Sequence, residues 1–172
     1  MPLGQDYASQ ECSIARALEV VGERWTLLVV RDCFFGVRRF SDFQRRLGIP
    51  RAVLSSRLAD LVEAEVLERV EERPGRPDYA LTGRGRDLWP VVHALYSWGE
   101  EHATPLPGRR GFRHAVCDVE LDTRGQCPTC GELPGPGGIA MVPGPALRSG
   151  PNDDRASRAL AAPHRLLEPL LP

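Results

Sequence analysis

The sequence contains no lysine: all 22 basic side chains are arginine. That uniformity reflects composition, so arginine in place of lysine is not read as a functional choice at any one position. There is no apolar run of ~20 residues, which excludes a membrane-spanning helix. The first residues, MPLGQDYASQECS, lack a basic segment followed by an apolar stretch. A secretory signal is therefore not expected, and a cytoplasmic location is. The patterns G-x-G-x-x-G, P-loop, G-x-S-x-G and H-E-x-x-H are all missing, so no enzyme class is indicated. A global charge excess is missing too. The formal net charge is -1 and the pI about 6.4, so only the distribution of charge can speak for nucleic acid.

The 172 residues suffice for one domain plus appendages. Composition changes near residue 104, where Gly and Pro become frequent. The pattern predicts a compact domain over 8–103, a small cysteine-bearing segment over 112–142 and a flexible Gly/Pro-rich tail over 143–172. Within the first unit, SIARALEVVG predicts a helix capped by Ser13, with Ile14, Leu18 and Val21 on one face and Gly22 ending it. ERWTLLVVRDCFF predicts a second helix, apolar on nearly every side and so buried. FSDFQRRLG predicts a short third helix with Ser41 as cap and Gly48 at its end. RAVLSSRLADLVEAEV predicts a fourth, with Leu54, Leu58, Leu61 and Val62 as its core stripe. VLERVEE, RPGRP and DYALT then read as strand, turn, strand. A long helix follows from Thr82, kinked at Pro90 or truly beginning there.

This order is that of a winged helix-turn-helix: mainly α with a small β-hairpin wing. It also gives a reason for a local concentration of charge. Between Arg38 and Arg57 stand six arginines and one acid, Asp42. A third helix crossing a phosphate backbone needs cations, as does the start of a fourth helix entering the major groove, and so does a wing tip. Arg38, Arg39, Arg45 and Arg46 suit the first role, with Ser41 beside them. Arg51 and Arg57 suit the second, and Arg73 and Arg76 the third. On the fourth helix, Leu58 and Leu61 fall within about 40° of Leu54, while Ala52 and Ser56 point about 160° and 200° away. Small side chains there permit close approach to base edges. Base readers are expected among Arg51, Ala52, Ser56 and Arg57, with Ser55 on phosphate. The contrary reading is a solvated basic face on a domain that binds protein.

The stretch CSIARALEVVGERWTLLVVRDCFFGVRRFSDFQRRLGIPRAVLSSRLADLVEAEVLERV, followed by YALTGRGRDLWPVVHALYSWG, resembles the HxlR-type winged-helix transcription regulators over about residues 12–102. Pro90 occurs at this place in the family. The resemblance implies a homodimer, built largely from the first and last helices, that binds pseudo-palindromic double-stranded DNA. The sequence itself offers apolar surface for such a seam: Leu88, Val92, Leu95 and Gly99 on the last helix, Trp89 and Tyr96 beside them, and Ile14 and Leu18 on the first. One departure stands out. Glu65 occupies the position after the fourth helix where the family usually has Gly, which implies a looser approach to the wing or a longer helix. Cys12 falls at the family's N-terminal cysteine, which in some members senses oxidants or electrophiles. In this sequence the alternative is a half-buried packing thiol.

Five cysteines are present, and a reducing compartment makes a disulfide framework unlike its use here. Cys33 reads as an inert core residue. HAVCDVELDTRGQCPTCGE instead sets His114-x2-Cys117 against Cys127-x2-Cys130, two pairs of soft ligands at zinc-knuckle spacing. A segment of some thirty residues with few large apolar side chains cannot offset backbone ordering at ~1–2 kcal/mol per residue. A structural Zn²⁺ at these four residues is the expected source of order. The rival reading is a Cys127/Cys130 dithiol, as in a small oxidoreductase. Asp118 stands where a knuckle often has Gly. Gly125 suits the turn of a hairpin within DVELDTRGQ, and the knob is expected to dock on the last helix or brace the dimer.

Overall fold

The computed structural model describes residues 7, 11–71, 77–147 and 154–171. Four helices open the chain: α1 (Ser13–Val21), α2 (Thr26–Phe34), α3 (Phe40–Leu47) and α4 (Arg51–Glu63). Helix α2 is the buried one, with Val29, Val30, Cys33 and Phe34 at or near zero exposure. Leu54, Leu58 and Leu61 of α4 are fully buried on the same core, as their spacing requires. The wing is an antiparallel pair, β1 (Leu67–Val70) and β2 (Asp78–Leu81), in which Leu67 faces Leu81. A short helix α5 (Gly83–Arg86) follows, capped by Thr82, whose hydroxyl accepts the Gly85 N–H at 3.1 Å. The main last helix, α6 (Trp89–His102), is a separate element with Pro90 in its first turn. Proline belongs there because the first-turn N–H has no helical partner in any case.

A second, four-stranded antiparallel sheet follows, in the order β4-β3-β5-β6. Its strands are β3 (Arg110–His114), β4 (Val119–Glu120), β5 (Ile139–Pro143) and β6 (His164–Arg165). One apolar core runs through both parts, from Val29 and Phe34 to Phe112, Ile139 and Met141. Phe112 is the key of this joint. Its ring meets Tyr96 and Trp89 edge to face at 4.9 and 5.1 Å and stacks on Phe35 at 6.3 Å. The small sheet thus completes the core of the helical part.

Over residues 154–171 the structure corrects the reading of 143–172 as a flexible tail. Helix α7 (Arg155–Ala159) is capped by Asp154, which accepts the N–H groups of Ala156 and Ser157 at 2.9 Å. Leu160 and Leu166 are fully buried. The chain then returns to the helical part: Leu167 N–H donates to Phe34 O at 2.8 Å, and Leu170 N–H to Gly36 O at 2.9 Å. Gly36 is required there. Its φ is +81°, and a Cβ would stand 1.9 Å from the Glu168 carbonyl oxygen. Gly and Pro suggested a tail because they break helices, yet single leucines between them suffice when a sheet edge waits.

Two caps also differ. Cys12, not Ser13, is the N-cap of α1, and Arg39, not Ser41, that of α3; neither uses a side-chain hydrogen bond. Helix α4 does end on time. Glu65 takes the left-handed conformation at φ +57°, so the turn into the wing is kept despite the missing glycine.

Candidate nucleic-acid interface and metal centre

The helix-turn-helix is α3, a turn and α4. Gly48, at φ +63°, closes α3 by donating to Gln44 O at 3.0 Å. Buried Ile49 anchors the turn and Pro50 starts α4. With the leucine stripe fixed inward, Arg51, Ala52, Ser55 and Ser56 all lie exposed, Ala52 and Ser56 directly opposite the stripe and Arg51 at its edge in the first turn. The Arg51 guanidinium rests over the Phe40 ring at 5.2 Å, which carries it across the gap between the two helices. Ser41 and Arg45 are exposed on α3. Arg38 and Arg39 precede α3 rather than lying on it, and the Arg38 carbonyl accepts the Tyr79 N–H of β2 at 2.8 Å. This ties the basic loop to the wing. Arg57 is turned back: it pairs with Asp60 at 3.2 Å and Glu23 at 3.5 Å. Arg73 and Arg76 lie outside the described residues.

Arg46 is the main correction. It does not face outward. Its Nε donates to Asp32 Oδ2 at 2.9 Å and its Nη1 to Ser157 Oγ at 3.2 Å, and its side chain is only 9% exposed. Asp32 is wholly buried and also takes Arg31 at 2.7 Å. A carboxylate in the core demands such partners. Arg110 completes the group over the Phe35 ring. Burial, then the neighbouring Arg46 and Arg31, lowers its pKa to about 10. Sequence gave no sign of this cluster, since Asp32, Arg46 and Ser157 come from three separate helices.

The expected dimer stripe divides. Trp89 and Val92 are buried, and Tyr96 packs on Phe112 while its hydroxyl donates to the Arg110 carbonyl. The second sheet covers that face. Leu95 of that stripe and Ile14 and Leu18 on α1 remain outside as expected, joined on α6 by Val91 and Trp98. Trp98 is 60% exposed and Ile14 71%. Cys12 is exposed as well. The Ala15 and Ile14 backbone N–H groups at the start of α1 hold its thiol below the ordinary range.

The four expected metal ligands do converge. One ligand atom each from His114, Cys117, Cys127 and Cys130 lies within 4.8 Å of all the others. His114 ends β3 and Cys117 occupies the turn to β4. Asp118 then adopts φ +51°, the left-handed conformation expected of glycine. In the second turn Gly131 takes φ +75°, and Gly131 N–H donates to Cys127 O at 2.8 Å. The two turns face each other as mirrored knuckles. His114 Nδ1 is 3.4 Å from Cys130 Sγ, and its Nε2 is 3.6 Å from a Glu132 carboxylate oxygen. Glu132 was not anticipated; a carboxylate behind a ligating histidine fixes the ring. The thiols share their protons unevenly. Backbone N–H groups of Cys130 and Thr129 bring Cys127 down to about 6, whereas hydrogen bonding to Cys130 pushes Cys117 up to about 12. The Asp122 carboxylate folds the intervening turn by accepting from Arg124 and Gln126 at 2.9 and 2.8 Å.

Fold and exposed α4 face together define a winged helix-turn-helix protein. Residues 20–106 match the HxlR-like helix-turn-helix model, and the chain belongs to that family. The chain is 46% identical over 143 residues to the uncharacterized HTH-type transcriptional regulator Mb3122 of Mycobacterium bovis, covering 80% of this chain and 89% of that protein. Such coverage exceeds what residues up to 106 can supply, so the likeness continues into the second sheet. Among solved structures, that of PA1607, a candidate transcription factor, superposes with a TM-score of 0.54 at 39% identity, over 57% of this chain and 70% of that one. The redox regulator HypR in its oxidized form gives 0.50 at 28% identity, over 54% and 99%. No helix among the described residues is long and apolar enough to cross a membrane.

Proposed function

We propose that the protein is a sequence-specific DNA-binding transcriptional regulator that acts as a homodimer on pseudo-palindromic sites. The observation that carries this reading is the outer surface of α4, where Arg51, Ala52, Ser55 and Ser56 stand exposed while three leucines of the same helix are fully buried. Arg45 and Ser41 on α3 and the Arg38–Arg39 loop supply phosphate contacts on either side. Arg46 has no part in this, and Arg57 a lesser one. The outward set Val91, Leu95, Trp98, Ile14 and Leu18 forms the seam between two copies, placing two α4 helices about one helical turn of DNA apart, ~34 Å. The test is retardation of DNA from its own promoter region across a salt series. Binding that weakens steeply with salt, with Arg51→Ala costing ~1–3 kcal/mol on the preferred site only, supports the reading. Equal losses on specific and random DNA place the reading face elsewhere.

The His114, Cys117, Cys127 and Cys130 cluster is a structural zinc site. With Zn–S ~2.3 Å and Zn–N ~2.0 Å, a tetrahedron separates its donor atoms by roughly 3.5–3.8 Å. The His114 Nδ1–Cys130 Sγ separation of 3.4 Å is already of that size, and all four atoms lie within 4.8 Å of one another. Four protein ligands leave no open position, which suits a structural role. Elemental analysis of untagged protein is the measurement, with one zinc per chain expected. A Cys127–Cys130 disulfide in its place, with melting unchanged by chelator, sinks the site.

Cys12 carries a second reading, response to oxidants. Its exposure and the N–H groups that lower its thiol favour it. Wild type then changes DNA affinity with mild peroxide while Cys12→Ser does not. Identical responses leave Cys12 without a sensing role.

A further inference from the structure

The second sheet does not close flush on α6. Between them lies an open cleft of about 330 Å³, inside the ~300–1,000 Å³ range of small-molecule sites. It is separate from the α4 face and from the cysteine cluster. Its floor is aromatic, with Tyr96 and Phe112 edge to face at 4.9 Å and His93 beside Phe112 at 5.7 Å. Its rim is acidic: Glu100 comes from α6, Glu120 from β4 and Asp122 from the turn beyond. Arg110 also lines the cleft, but its guanidinium is engaged elsewhere. It donates to Leu160 O at 2.9 Å and lies over Phe35. Among the described residues no arginine forms a salt bridge with Glu100, Glu120 or Asp122. Burial first, then the negative field of Glu100 and Glu120, pushes the Tyr96 phenol up to about 12, with the Arg110 guanidinium opposing them. The field of the rim thus reaches the aromatic floor.

We propose that this cleft binds a small organic cation with an apolar body, an ammonium or amidinium compound bearing an aromatic or short aliphatic group. Ring faces attract a cation through their quadrupole, and the carboxylates around them add to that attraction. An anion would meet three like charges at the rim. A neutral ligand would remove water from the carboxylates without replacing its interactions. The walls belong to two different parts, α6 on one side and the β3–β4 ribbon on the other. An occupant therefore favours the docked arrangement, and α6 carries Leu95 and Trp98 on its outer side. Action of such a ligand as an effector rests on the regulator reading; its binding does not.

The experiment uses the full chain with benzyltrimethylammonium as probe, and benzyl alcohol and benzenesulfonate as neutral and anionic counterparts. Calorimetry gives stoichiometry, and Trp89, in contact with Phe112, provides a fluorescence signal. The expected result is one saturable cation per chain, with at least ~10-fold weaker binding of the other two. Glu100→Gln and Glu120→Gln each weaken the cation roughly 2–5-fold, and Tyr96→Leu roughly 2–30-fold. Should Tyr96→Leu fail to fold, exposed Thr123→Arg decides, because it places a cation on the rim and must abolish binding. Equal affinity for the three probes overturns the proposal. So does unchanged affinity in a Glu100→Gln/Glu120→Gln double variant that melts like the parent. DNA binding that survives in a protein without cation binding removes this site alone, while cation binding without DNA binding removes the regulator reading and leaves the site standing.

Discussion

Replacing Arg46 with alanine separates two roles for a basic side chain on α3. An arginine on phosphate affects binding and not folding; an arginine that neutralises a buried acid does the reverse. Without Arg46, the carboxylate of Asp32 stays wholly buried with Arg31 as its remaining partner at 2.7 Å. Removing one member of a buried ion pair costs ~3–5 kcal/mol, and the surviving Arg31 contact places the loss near the lower end. The bond to Ser157 Oγ at 3.2 Å goes as well, loosening α7 from α3. At ~2–4 °C per kcal/mol for a chain of this size, a loss of about 3 kcal/mol lowers the melting temperature by roughly 6–12 °C. Circular dichroism melts at low and high salt give the first readout, and the salt dependence of DNA affinity the second. Exposed Arg45→Ala is the counterpart, with melting shifted by at most ~2 °C and the log–log salt slope reduced by about 0.9. The reasoning is refuted if Arg46→Ala melts with the parent and loses that same unit of slope.

Glu65→Gly is expected to stabilise the protein by roughly 0.5–1 kcal/mol, because relief of a left-handed glutamate outweighs the added freedom of the unfolded glycine; urea unfolding measures it, and a lower midpoint counts against it. Leu95→Glu together with Trp98→Glu should yield a monomer in light scattering with the parent's helical spectrum, whereas a surviving dimer moves the seam elsewhere. His93 has a pKa lowered from 6.5, first by burial and with Asp122 opposing. The unfolded chain thus takes up a proton that the folded one refuses, so stability is full above pH 6.5 and falls as pH drops below it. His93→Gln should reduce that decline, and an unchanged pH profile in the variant assigns the decline to other groups.

Helical periodicity exposed the helix-turn-helix because its determinants are local. The Leu54–Leu58–Leu61 stripe fixes α4, and everything opposite it follows. Ligand spacing is local for the same reason: two residues between ligands suffice to fold a knuckle, so His114, Cys117, Cys127 and Cys130 could be paired before any fold was known. Capping was legible only to within one or two residues, since Cys12 and Arg39 cap through backbone geometry alone. The return of residues 154–171 was not legible. Leu160 and Leu166 have no periodic partners, and their burial depends on a sheet edge some twenty residues earlier and on the helical core beyond it. Arg46 was misplaced because charge patterns show where cations are and not which of them face a buried acid on another helix.

Gly36 receives the chain at Glu168 and Leu170, which gives the molecule an order of assembly during synthesis. The carbonyls of Phe34 and Gly36 leave the ribosome early and wait for the N–H groups of Leu167 and Leu170. At ~5–20 residues per second, that interval is roughly 7–27 s. Through it, Phe112 and its sheet can dock on α6, but the α2–α3 corner lacks its closing segment and Arg46 lacks Ser157. A nascent chain halted before residue 160 should therefore present the helix-turn-helix with its reading helix formed and this corner still open to chaperones and proteases.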